Sequence, residues 1–121
     1  MVRVDFARTF EERLETIQEF MLDQDMTTAT DRIEKLWSEI LRFGDLVALH
    51  PKIGRPAGVL AAGSVEGQVR MARVFQLASE AGLPELREYV LHPYLLLYAH
   101  SETHVLLLSI RHQRELGYAA G

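Results

Sequence analysis

Two stretches near the C-terminus, Tyr94–Ala99 and Val105–Ile110, are dense in Leu, Val, Ile and Tyr at odd and even positions alike. Successive residues of a strand point to opposite sides, so a strand of this kind is buried on both faces. The chain must place these strands centrally in a sheet and cover that sheet twice: with helices on one side and with something else on the other. His100-Ser101-Glu102-Thr103 between them reads as a hairpin loop. Upstream, Leu86, Glu88 and Val90 alternate with Arg87, Tyr89 and Leu91, the same period of two. His92-Pro93 ends that run.

The helical cover is legible further upstream. Phe10, Leu14, Ile17 and Met21 fall on one stripe of a helix expected from Thr9 to Leu22, with Thr9 and Glu12 as a capping box. Asp23–Thr28 reads as the turn of a helical hairpin. A second helix is expected from Thr28 or Thr30, with the stripe Ile33, Leu36/Trp37, Ile40, Phe43/Gly44 and Val47, ending before Pro51. Val2, Val4 and Phe6 predict a short opening strand with one buried face. Pro51–Gly58 reads as a loop of restricted conformation. Ser64 is placed to cap a third helix, which Gly82 and Pro84 close. The tail Arg111–Gly121 is charged and then small, either a short helical turn or a loose end. The order is β-α-α-(α)-β-β-β, an α+β fold with a strand and helical hairpin packed on an antiparallel sheet.

Length and composition narrow the function. The 121 residues suit a single domain, and 48% apolar with 25% charged residues is a globular balance. No apolar run approaches the roughly 20 residues that cross a bilayer, so no membrane partner is expected. The charged opening Met1–Phe6 does not read as a secretory signal. With no cysteine, thiolate chemistry and cysteine-held metals are excluded and a cytoplasmic setting is expected. Residues 1–49 hold six basic and eleven acidic side chains, and residues 50–121 hold seven and six together with all five histidines. Anion-binding chemistry is therefore expected in the C-terminal half. Overall acidity argues against non-specific coating of nucleic acid.

Four groups of residues could carry chemistry. Lys52 and Arg55, around Gly54, are placed either to grip phosphate or to form a rigid connection whose arginine pairs with an acid of the hairpin. Arg111 and Arg114 bring positive charge to the end of a central strand, either as a solvated edge or as a site. There His112 and Tyr118 are candidate proton carriers. Arg87, on one face with Tyr89, either stabilises phosphoryl charge or binds an acidic partner, or only lies over a covering helix. His100 and His104 have a spacing that would suit a metal on a helix, but they sit in a hairpin, and no metal or other cofactor is expected. Serine-nucleophile chemistry lacks its GxSxG elbow.

Three motifs in order resemble the RelE/ParE superfamily of type II toxin–antitoxin systems. His50-Pro51-Lys52-Ile53-Gly54-Arg55-Pro56 is similar to its HPxIGRP element, Leu86-Arg87-Glu88 with Pro93–Tyr98 to its LRE…YLLxY strands, and Val105–His112 to its last strand. The resemblance covers most of the chain. It implies one RelE/ParE-like toxin domain over residues 1–121. Residues 57–83, with the third helix, stand as an insertion where the family pattern has a shorter connection.

Within the superfamily the HPxIGRP loop and acidic hairpin look ParE-like, the type of the plasmid-stabilisation toxins. The resemblance then implies growth inhibition by poisoning DNA gyrase, without catalysis, and neutralisation by a cognate antitoxin that folds on binding. The alternative it implies is a RelE-like endonuclease cutting messenger RNA on the ribosome. In that case Arg87, His112 and Tyr118 would be catalytic and Arg111 and Arg114 would stabilise charge. A third is a non-toxic relative that only binds a partner. A homodimer and a hetero-oligomer with the antitoxin both stay open. Lys52, Arg55, Arg111 and Arg114 are the expected target- or phosphate-binding residues. Arg70 and Arg73, on the inserted helix, are expected to form a solvated face.

Overall fold

The computed structural model describes residues 1–57, 76, 78–83 and 85–114. The elements are β1 (Arg3–Phe6), α1 (Arg8–Gln24), α2 (Met26–Leu49), β2 (Arg55–Pro56), β3 (Glu85–Leu91), β4 (Tyr94–His100) and β5 (His104–His112). One mixed sheet has the order β1-β5-β4-β3-β2. β1 runs parallel to β5, and the other neighbours are antiparallel. The expected α+β fold is thus the one that forms. β4 and β5 are both inner strands, as their two-sided apolarity requires, and β3 is the third. None of the helices described is long and apolar enough to cross a membrane.

The hairpin covers one face. Phe10, Leu14, Ile17 and Met21 of α1 and Leu36, Ile40, Phe43 and Val47 of α2 are buried against Leu96, Tyr98, Val105, Leu107 and Ile110. A fully buried side chain of this size contributes roughly 1.5–3 kcal/mol, so this stripe is the main reason the hairpin docks. The turn between the helices is shorter than the polar run Asp23–Thr28 suggests: it is Asp25 alone. Its carboxylate accepts from the Thr27 amide at 2.9 Å and the Thr27 hydroxyl at 2.6 Å, starting α2 at Met26 rather than at Thr28 or Thr30.

The expected Thr9–Glu12 capping box does not form. Ala7 holds the N-cap of α1 and makes no side-chain bond. Thr9 instead donates its hydroxyl to the Leu108 carbonyl at 2.5 Å. The reason lies in β5. Leu97 pairs with Ser109 but Tyr98 pairs with Leu107, so Leu108 is an extra residue, a β-bulge. The bulge switches the face parity of β5: Val105 and Leu107 face the helices before it, and Ile110 does so after it.

The second face packs Leu86, Leu95, Leu97, Ala99 and Leu108 against Ala57, Ala78 and Leu83. Gln76 and Ala78–Glu80 are helical. The turn after Glu80 ends as expected at Gly82, whose φ is +73°. Leu83 N–H bonds Ala78 O and Gly82 N–H bonds Ser79 O, both at 3.0 Å, which is a Schellman close. Ser64, Arg70, Arg73 and Pro84 lie outside the described residues.

Two edges differ from the sequence reading. The Pro51–Gly58 loop contains strand β2, which pairs Arg55 with Glu88 and Pro56 with Arg87. Proline is tolerated there because β2 is the sheet edge. β1 is the other edge. Its Phe6 is 37% exposed and stacks on the core residue Phe10 at 5.4 Å, and Val2 and Val4 are partly buried against the core.

Candidate functional site

The loop after α2 is held down by side chains of the sheet. Tyr98, fully buried in β4, donates its hydroxyl to Pro51 O at 2.7 Å and accepts the Gly54 amide at 2.9 Å. Burial raises the Tyr98 pKa, partly offset by the Gly54 hydrogen bond. Arg87, opposite Tyr98 on β3, donates to Gly54 O at 2.7 Å through Nη1 and to His100 Nε2 at 3.1 Å through Nε. A ring that accepts at Nε2 is the neutral imidazole with its proton on Nδ1. Burial lowers the His100 pKa, while Glu85, 3.2 Å from the same nitrogen, opposes that shift.

This arrangement decides what Lys52, Arg55 and Arg87 can reach. Arg87 turns its guanidinium to backbone carbonyls and His100, and its side chain is 19% exposed. Arg55 pairs with Glu88 at 2.8 Å, not with an acid of the hairpin. Glu88 is buried on the sheet's second face, where a carboxylate requires a cationic partner. Lys52 and Ile53 are exposed at the tip of the loop.

The other candidates sit at the far end of the sheet. Arg111 and His112 belong to β5 rather than to a tail. They face opposite sides, because adjacent strand residues alternate: Ile110 faces the helices, Arg111 faces away from them and His112 faces them again. Arg111 is buried, with Nη1 3.4 Å from the carbonyls of His112 and Gln113. His112 lies edge-on to Tyr94, with centroids 5.7 Å apart, and its Nδ1 accepts the Arg114 amide at 3.2 Å. Arg114 is exposed, and Tyr118 lies outside the described residues. His112 is opposite Tyr94 and Arg87 opposite Tyr98, four residues apart on β4. At about 3.3 Å per residue the two are separated by roughly 13 Å along the strand direction.

His100 and His104 do not converge either. His104 bonds Asp5 at 2.7 Å, the largest cause of that carboxyl's lowered pKa, with Arg3 the next. Among the described residues no three side chains of metal-binding type are grouped.

Residues 4–117 match the family described as ParE toxin of type II toxin-antitoxin system, parDE. The chain belongs to this family of toxins. No curated protein matches it. In this toxin the HPxIGRP-like run is the loop that Tyr98 and Arg87 hold against the sheet, and the YLLxY-like run supplies the tyrosine that holds it.

Sequence reasoning missed three participants. The role of Tyr98 was legible in principle, since a tyrosine inside an aliphatic strand needs a partner for its buried hydroxyl. Arg13 and Arg32 gave no local signal. They stand among acids on two different helices, and only the hairpin brings them to one cavity with His112 and Arg114.

Proposed function

We propose that this toxin acts by binding DNA gyrase rather than by catalysis of its own, and that a cognate antitoxin neutralises it. The observation that carries this reading is the dispersal of the catalytic candidates. Arg87 is spent on Gly54 and His100, Arg111 is buried on the opposite face, and His112 lies roughly 13 Å along the sheet from Arg87. Cleavage of a phosphodiester needs base, acid and cations around one phosphorus. The net charge of −4 also suits a protein target better than ribosomal RNA.

The antitoxin segment has an apolar surface to meet on the hairpin. Trp37 and Leu41, one turn apart on α2, are 39% and 58% exposed, whereas the apolar side chains of β4 are mostly buried. A groove between Trp37 and the α1 residues Phe10 and Leu14 opens beside them. An antitoxin that folds on binding buries such side chains.

The test is pulse-labelling of growing bacteria just after the toxin is induced alone. Early loss of thymidine incorporation with translation continuing supports gyrase. Early loss of methionine incorporation overturns that reading in favour of messenger RNA cleavage. Normal growth with soluble toxin points to a relative that binds a partner without toxicity.

A further inference from the structure

One ring nitrogen on the sheet stands between two partners that it cannot serve together. His100 Nε2 lies 3.1 Å from Arg87 Nε, a donor, and 3.2 Å from Glu85 Oε2, an acceptor. Without a proton, Nε2 accepts from Arg87 and has nothing to give the carboxylate. With a proton, it donates to Glu85 and no longer accepts from Arg87. The three side chains share one sheet face, because Glu85 is opposite His100 and Arg87 is opposite Tyr98.

Protonation also sets two cations against each other, since an imidazolium and a guanidinium at contact distance repel. His100 is the fixed member of the pair, 3% exposed at the end of β4. Arg87 has the longer and more exposed side chain, and it holds the loop after α2. Its Nη1 donates to Gly54 O at 2.7 Å and lies 3.5 Å from Lys52 O. The remaining ties of that loop are the Tyr98 hydroxyl bonds and the bond from Ile53 N–H to His50 O at 3.0 Å. None of those groups takes up a proton near neutrality.

The charges around the ring come from several elements. Burial, Arg87 and the Lys52 ammonium disfavour the imidazolium, whereas Glu85 and a hydrogen bond to the Ser101 backbone favour it. His50 and Glu102 line the same cavity of about 860 Å³, through which the ring meets solvent. Tyr98 lies beside the ring at 6.0 Å, and β5 places the apolar Val105 opposite it.

We propose that His100 is a proton-operated latch on the loop after α2. Neutral, it holds Arg87 against the loop; protonated, it turns to Glu85 and releases Arg87. Acid thereby loosens the loop that exposes Lys52 and Ile53 while the sheet stays folded. The latch does not depend on which macromolecule the toxin poisons.

The purified toxin, labelled with nitrogen-15, is followed by NMR and amide hydrogen exchange from neutral pH to about pH 5. His100 is expected to carry its proton on Nδ1 at neutral pH and to gain a second on Nε2 in acid. In the same step the Arg87 Nε–H signal shifts and the protection factors of the Ile53 and Gly54 amides fall about tenfold, while those of Leu96 and Leu107 hold. Glu85→Gln, at a half-exposed position, removes the charge that favours the imidazolium and moves the step to lower pH. His100→Gln still accepts from Arg87 but does not titrate, and abolishes the step. A neutral ring protonated on Nε2, loop protection that does not follow the His100 titration, or sheet amides lost together with the loop overturns the proposal. A step that Glu85→Gln leaves in place, or that persists in His100→Gln, overturns it as well. None of these readouts involves toxicity, so failure here is separable from failure of the gyrase reading.

Discussion

Gly54 stands against Tyr98 with no room for a side chain. A Cβ on residue 54 would lie 2.9 Å from the Tyr98 hydroxyl oxygen and 2.6 Å from the Glu88 carbonyl. The carbonyl belongs to the β2–β3 pairing and cannot turn aside. Gly54→Ala is therefore expected to destabilise the toxin by about 1–3 kcal/mol, as overpacking does, read as a lower urea midpoint. Gly44→Ala is the control, because a Cβ there meets nothing within 4 Å.

Tyr98→Phe keeps the ring and deletes the hydroxyl that serves Pro51 and Gly54. Leaving these buried backbone groups unsatisfied costs about 1–3 kcal/mol. The raised Tyr98 pKa adds a sign. The folded state holds this proton more tightly than the unfolded state, so its contribution is complete below pH 10 and is lost as pH rises through the folded value. Wild-type stability should fall above pH 10 more steeply than that of Tyr98→Phe, measured by urea unfolding across that range.

His100 works in the opposite direction. Its lowered pKa means that the unfolded chain takes up the proton first, at its ordinary value of 6.5. The stability it provides is present above that pH and is lost as pH falls through the folded value. Denaturation midpoints between pH 7 and 5 should decline in the wild type and decline less in His100→Gln, whose amide oxygen can still accept from Arg87. Equal slopes would show that His100 is not the group responsible.

Asp25 alone makes the turn between the helices. Asp25→Ala removes the acceptor for the Thr27 amide and hydroxyl, and is expected to lower the unfolding temperature at neutral pH. Its lowered pKa, due first to the Thr27 hydroxyl hydrogen bond, means that this contribution fades as pH falls below the usual carboxylate range. Thermal unfolding at neutral and at acid pH would show a difference between mutant and wild type that shrinks in acid.

The gyrase reading has its own mutant. His112→Ala with Tyr118→Phe should leave killing intact at equal expression, since neither proton carrier is needed. Loss of killing in a double mutant that folds and binds its antitoxin normally would restore the endonuclease.

The elements were largely legible because periodicity reports burial. The stripe from Leu36 to Val47 and the two-sided run Tyr94–Ala99 each admit one placement. The misread ends have local causes. Thr9 looked like a cap but spends its hydroxyl on a bulge in β5, and a bulge leaves no mark in alternating apolar residues when both faces are buried. The polar run Asp23–Thr28 looked like a longer turn because threonines are poor helix formers, yet one aspartate cap starts α2 ahead of them.

The candidate site was less legible for a related reason. Lys52, Arg55, Arg87 and His112 were found from motifs, but a motif does not say what a guanidinium is bonded to. Arg87 meets Gly54, 33 positions away, and Arg55 meets Glu88, also 33 positions away. The α+β class, the hairpin stripe, the central strands and the resemblance to ParE-type toxins could all be read from residue order alone, because each rests on local pattern. That Tyr98 and Arg87 hold the loop, that His112 lies apart from Arg87, and that Arg13, Arg32 and Arg114 line one cavity follow from the folded arrangement. Partners of polar groups are chosen between distant segments, and the energy that selects them exists only once the hairpin has docked on the sheet.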